Sequence, residues 1–170
     1  MHKLQGTRNS QRILKEMMDS DLLLNTKIDH ENVFYLSKKG AEQVGVEPIK
    51  KSNQIEHILL RNQAWMFLEF PRWYLETPIE LTIKGNKRSL IPDAQYIKDT
   101  LYCIEIDNQQ RLIKNKEKLE MYGELNKLYE SKNKKKIVVR FFTTCESRKK
   151  KLEEIAGKNQ VVCEVYVIDY

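Results

Sequence analysis

The sequence predicts an α+β or α/β protein in two parts: a short helix–hairpin–helix segment, then a domain ordered α, β, β, β, α, β, α, β around a mixed sheet. Three observations predict it. Apolar residues recur at helical spacing between Ile13 and Met18. Alternating or fully apolar runs take over between Ile79 and Asp107 and return after Lys136. Glu47-Pro48 with Lys50-Lys51-Ser52 breaks the pattern between them, which sets the parts at 1–47 and 52–170.

In the first part, Asn9 or Ser10 is a good N-cap for a helix carrying Ile13, Leu14, Met17 and Met18 on one side. Asn25 to Ile28 and Val33 to Leu36 read as short strands flanking Asp29-His30-Glu31-Asn32, a polar tetrad suited to a tight turn. Ser37 caps a second helix from Lys38 towards Val44, and Gly45 stops it. Helix, hairpin, helix is the closing part of a winged helix, in which the first helix enters the major groove and the hairpin lies along the backbone. The polar face of that helix offers Thr7, Arg8, Asn9, Gln11, Arg12 and Lys15 as donors to phosphates and base edges of duplex DNA, with Lys27, Lys38 and Lys39 beside the hairpin. The competing reading is an ordinary solvated face. A complete winged helix has further helices before this point, so the segment reads as truncated: either the chain begins inside the domain, or a second copy in a homodimer supplies the missing wall.

In the second part, Gln54 to Phe70 fits a helix ended by Pro71, with Ile55, Ile58, Leu59, Trp65, Met66 and Phe67 as its apolar residues. Ile79 to Ile83, Ser89 to Ile97 and Thr100 to Asp107 read as three strands of an antiparallel meander, turning at Lys84-Gly85-Asn86-Lys87 and Lys98-Asp99. A helix from about Gln110 to Ser131, a strand at Ile137 to Phe142, a charged helix at Ser147 to Ala156 and a strand at Val161 to Ile168 complete the order. Strands separated by helices need crossovers, so the sheet should be mixed, with helices on its faces.

Composition narrows the function classes. A 41% hydrophobic fraction is enough for a core, and 30 Lys+Arg against 24 Asp+Glu leaves +6, which suits a polyanionic partner without requiring one. Cys103, Cys145 and Cys163 have no paired or metal-ligand spacing, so neither a disulfide framework nor a zinc site is indicated. The N-terminus lacks a secretory pattern and no run approaches the ~18 apolar residues of a bilayer span. The cytoplasm is therefore the expected location, with no membrane partner. No Gly-rich phosphate loop, Ser/His/Asp order or Cys/His pair appears, which disfavours nucleotide hydrolysis and covalent catalysis.

The residues that suggest chemistry are Ile91-Pro92-Asp93-Ala94 and Cys103-Ile104-Glu105-Ile106-Asp107. Adjacent antiparallel strands bring Asp93 towards Glu105, and the period of two puts Glu105 and Asp107 on one face. Three converging carboxylates repel one another, and a divalent cation such as Mg²⁺ or Mn²⁺ relieves that cost and can activate water against a phosphodiester. The alternative is that Glu105 and Asp107 pair with Lys or Arg across a half-exposed sheet. Glu56 or Glu69 on the preceding helix can complete such a site, though their spacing selects neither. His57 reads as a packed or surface residue.

The element order, with Pro92-Asp93 before an acidic-x-acidic strand, resembles the PD-(D/E)XK nuclease superfamily over roughly residues 52 to 170. More narrowly, Asn9 to Leu24, the hairpin ending Phe34-Tyr35-Leu36-Ser37-Lys38-Lys39-Gly40, Pro92-Asp93-Ala94, Glu105-Ile106-Asp107 and Lys118 to Tyr122 are similar to the replication-relaxation family of plasmids and mobile elements. The resemblance implies a partial winged helix fused to an αβββαβ restriction-endonuclease-like domain, with a role in plasmid replication, relaxation or mobilisation. Asp93, Glu105 and Asp107 would hold metal, and Asp93 and Glu105 would act in catalysis. The superfamily's lysine two residues after the acidic one is replaced here by Asp107. Lys118, four residues before Tyr122 and so on its helical face, is the relocated candidate; otherwise Lys118 is surface and Tyr122 is core. DNA binding with an inactive nuclease-like domain, Mg²⁺-dependent cleavage and a protein-interaction adaptor are the three functions this sequence allows.

Overall fold

A computed structural model describes residues 7–28, 30–49, 55–83, 85–108, 112–132 and 134–168 of the chain. The chain forms two compact units, Met1–Gln54 and Ile55–Tyr170. The expected caps Ser52 and Asn53, the Lys50-Lys51 stretch, and Asp29, Lys84 and Gln110 lie outside the described residues.

The first unit contains helix α1 (Thr7–Asp19), a hairpin of β1 (Leu23–Ile28) and β2 (Glu31–Leu36), and helix α2 (Lys38–Val44). Asn9 and Ser10 lie within α1 rather than ahead of it, and Asn9 Oδ1 accepts a hydrogen bond from Arg12 Nη2 at 3.0 Å. The hairpin turn is tighter than the expected tetrad. Ile28 pairs with Glu31 and Lys27 with Asn32, so both residues join the ladder, and His30 adopts φ 69°. Two-residue turns match the twist of paired strands and leave fewer backbone groups to water. Ser37 accepts from Gly40 N at 3.0 Å and donates its hydroxyl to the Asp21 carbonyl, so one cap starts α2 and ties it to the end of α1. A β-carbon on Gly40 would stand 2.1 Å from the Leu22 carbonyl oxygen, which leaves glycine as the residue that fits.

The second unit contains α3 (Ile55–Phe67), β3 (Tyr74–Leu75), β4 (Ile79–Ile83), β5 (Asn86–Leu90), β6 (Ala94–Ile97), β7 (Leu101–Asp107), α4 (Leu112–Ser131), β8 (Val138–Thr143), α5 (Glu146–Lys158) and β9 (Val162–Val167). Its principal sheet has the order β3-β6-β7-β8-β9; β6 runs antiparallel to β7, and β7, β8 and β9 are parallel. The sheet is mixed because α4 and α5 serve as crossovers. The expected three-stranded meander is not formed. Ser89 to Ile97 breaks after Leu90, β4 and β5 make a separate two-stranded ribbon, and only the second half of the segment joins the main sheet as β6. Pro92 explains the break, since it has no N–H for a ladder and constrains Ile91 before it. The two-residue strand β3 is too short to leave a periodic signature.

Alternation along β7 divides the core. Ile104 and Ile106 pack with Leu60, Ala64 and Phe142 on the α3 side. Cys103 packs with Leu119, Tyr122, Phe141 and Leu152 on the α4 and α5 side, joined there by Leu81 and Leu90 of the ribbon. Buried Asn126 exchanges two hydrogen bonds with the backbone of Ile137, at 2.7 and 3.2 Å, and so fixes α4 to the entry of β8. Gly123 of α4 lies against the end of α5; a β-carbon there would meet the Asn159 carbonyl oxygen at 2.6 Å. Among the described residues, no helix is long and apolar enough to cross a membrane.

Candidate functional site

The site forms where β7 ends, between the start of α3 and the first half of α4. Asp93 stands just before β6. Its N–H donates to the Ile104 carbonyl at 3.0 Å, and its Oδ2 accepts the Ile106 N–H at 2.6 Å, so this side chain extends the ladder where proline cannot. Its other oxygen, Oδ1, lies 3.3 Å from His57 Nε2 on α3.

Glu105 points from the opposite face of β7, beneath α4, and its side chain is only 2% exposed. Tyr122 Oη donates to Oε1 at 2.7 Å, and Lys118 Nζ donates to Oε2. Lys118 and Tyr122 are one turn apart on α4, which is why both reach a single carboxylate. The Lys118 ammonium also acts on Asp93 through charge. Glu105, Lys118 and Tyr122 are therefore brought together by direct hydrogen bonds, while Asp93 is bonded on the α3 side and is linked to them through charge alone.

Burial pushes Glu105 up to about 7; Lys118 opposes this rise and Asp93 adds to it. Asp93 is also lifted by burial, but the His57 hydrogen bond, the Lys118 charge and the Ile106 N–H outweigh that and hold it below the usual carboxylate value. Burial alone would lower Lys118, yet the charges of Glu105 and Asp93 raise it above its ordinary value. The lysine is thus a fixed positive charge shared by two carboxylates.

Asp107 has a separate partner set. Arg148, in the first turn of α5, grips it with Nε at 2.5 Å and Nη2 at 2.6 Å; Asn115 Nδ2 donates at 2.6 Å and Thr143 Oγ1 at 3.0 Å. This is a bidentate, charge-assisted arrangement around a fully buried carboxylate. Glu56 accepts from Asn108 Nδ2 at 3.2 Å beside His57, whereas Glu69 lies past the other end of α3. Two residues carry more of this site than their sequence positions announce. His57 gives no signal by itself, but Arg148 does: parallel β7 and β8 end on the same side, so the helix entered after β8 starts beside Asp107.

No family model, curated protein or solved structure matches this chain. The reading of the site accordingly depends on its own chemistry. Among the described residues no group of three or more His, Cys, Asp and Glu side chains is disposed to hold a metal ion. The donor set explains why a divalent ion does not fit the arrangement as it stands. Both oxygens of Asp93, Glu105 and Asp107 already face protein donors, and Lys118 and Arg148 supply the compensating charge. An ion taking Glu105 would first have to displace the ammonium.

In the first unit, Arg8, Gln11, Arg12 and Lys15 are exposed along α1, Asn9 is half-buried beside them, and Lys27 is exposed on β1. Thr7 opens the helix, and its side chain lies outside the described residues. Arg12 also pairs with Glu16 at 2.5 Å, an exposed contact one helical turn apart that contributes little to stability.

Proposed function

We propose that the chain is a DNA-binding protein of a plasmid or mobile element, acting in replication, relaxation or mobilisation, whose second unit is a nuclease-like body used for docking rather than cutting. The observation that carries the binding reading is the exposed row Arg8, Gln11, Arg12 and Lys15 on a helix followed directly by a β-hairpin. That combination presents donors to a groove and a second element to the backbone, as in a winged helix. Support for docking over cutting comes from Lys118 and Arg148, which already neutralise the buried carboxylates. The order of the motifs supports the plasmid setting.

Binding to a labelled duplex should weaken steeply with salt, and substituting Arg8, Arg12 and Lys15 by alanine should reduce the slope of log K against log salt by roughly 3. A slope that is flat for the parent chain removes this reading and leaves the protein-interaction adaptor. Divalent-metal-dependent cleavage is the second reading, supported by Lys118, which bonds Glu105 directly and acts on Asp93 through charge. Plasmid nicking with Mg²⁺ or Mn²⁺ that disappears in an Asp93→Ala, Glu105→Ala double variant would establish it and overturn docking.

A further inference from the structure

The second unit has a cleft of about 500 Å³ away from the carboxylates, walled on one side by the β4–β5 ribbon and on the other by the C-terminal turns of α4 and the segment after it. Tyr129 lies about 16 Å along the helix from Lys118, at 1.5 Å per residue, so this is a different place on the molecule. Its walls carry Lys87 and Arg88 from β5, and Lys132 and Lys134 beyond α4. Glu80 is the carboxylate among the lining residues.

The placement of Arg88 is informative. It is exposed and lines the cleft from β5 beside Lys87, on a ribbon anchored to the core by buried Leu81 and Leu90. Across from it, Lys134 Nζ lies over the Tyr129 ring, 5.6 Å from the centroid. Among the described residues, Lys87, Arg88 and Lys132 have no carboxylate at ion-pair distance. Cations from two separate elements therefore face one opening with one acid between them. Like charges so gathered repel, and a bound anion removes the repulsion.

We propose that this cleft binds the phosphate backbone of a nucleic acid, giving the second unit its own contact to duplex DNA, separate from α1. A polynucleotide suits the cleft better than a single phosphate because the cations come from two walls and lie on exposed segments, the pattern that follows a line of charges. The hydroxyls of Thr82 and Ser89 add donors to the same wall. A free nucleotide carries the same phosphate chemistry on a shorter ligand, so the experiment includes it.

The test measures fluorescence anisotropy of a labelled 20-base-pair duplex with the full chain, across a salt series and with ATP as competitor. Substituting Lys87, Arg88, Lys132 and Lys134 by serine should weaken binding at 0.1 M salt by roughly tenfold or more and reduce the salt slope by about 3.6. A Lys132→Ser, Lys134→Ser pair, which leaves the ribbon untouched, should reduce the slope by roughly half as much. Unchanged duplex affinity and slope in both variants would overturn the proposal, as would ATP binding lost in the variants while duplex binding is kept. The α1 variants separate this outcome from the previous reading, since loss of binding in them alone condemns the cleft and not the helix.

Discussion

Replacing Arg148 by alanine is expected to destabilise the second unit by about 3–5 kcal/mol, the usual cost of leaving a buried charge without its partner. Asp107 is fully buried, and Arg148 supplies its only charged contacts among the described residues. Asn115 and Thr143 keep donating to the carboxylate in the variant, but neutral donors do not balance its charge. Urea denaturation followed by tryptophan fluorescence measures the effect cleanly, because both tryptophans, Trp65 and Trp73, belong to this unit. An Asp107→Asn, Arg148→Met double variant should recover much of the loss by removing both charges together. A single variant within about 1 kcal/mol of the parent would show that Asp107 is satisfied without the arginine.

Glu105→Gln is expected to remove most of a pH dependence that the parent unit displays between its ordinary value of 4.5 and about 7. The folded unit holds the Glu105 proton over this window and the unfolded chain does not, so the folded state binds more protons. Stability must then fall as pH rises, by on the order of 3 kcal/mol across the window. The neighbours act elsewhere. Asp93 is held below its ordinary 3.8, so its contribution is present above that value and lost as pH falls beneath it. Lys118 is raised above 10.5, so its contribution is complete below that value and lost at higher pH. Subtracting the Gln variant's stability profile from the parent's isolates Glu105, and parallel profiles from pH 4.5 to 7 would show that its proton is not retained on folding.

Much of this arrangement was legible in residue order. The helices, the final strands and the mixed sheet follow from apolar periodicity, and alternation along β7 put Glu105 and Asp107 on one face. The spacing of Lys118 and Tyr122 placed both over the same spot. Other parts depended on contacts that no local pattern encodes. His57 meets Asp93 across thirty-six residues of chain, and the ribbon separates from the sheet because Pro92 ends a strand that apolar content alone would have continued. Arg148 could have been found by topology once β7 and β8 were known to be parallel. Asn115 and Asn126 look like ordinary helix polar residues until burial gives each a single task.

The backbone contact between Gly123 and Asn159 has a mechanical corollary. A helix braced this tightly has little room to slide or roll, and Lys118 rides on the same rigid shaft little more than one turn away. Whatever exchanges the ammonium must therefore work by torsion of the lysine's own methylene arm rather than by a lever stroke of the element that bears it.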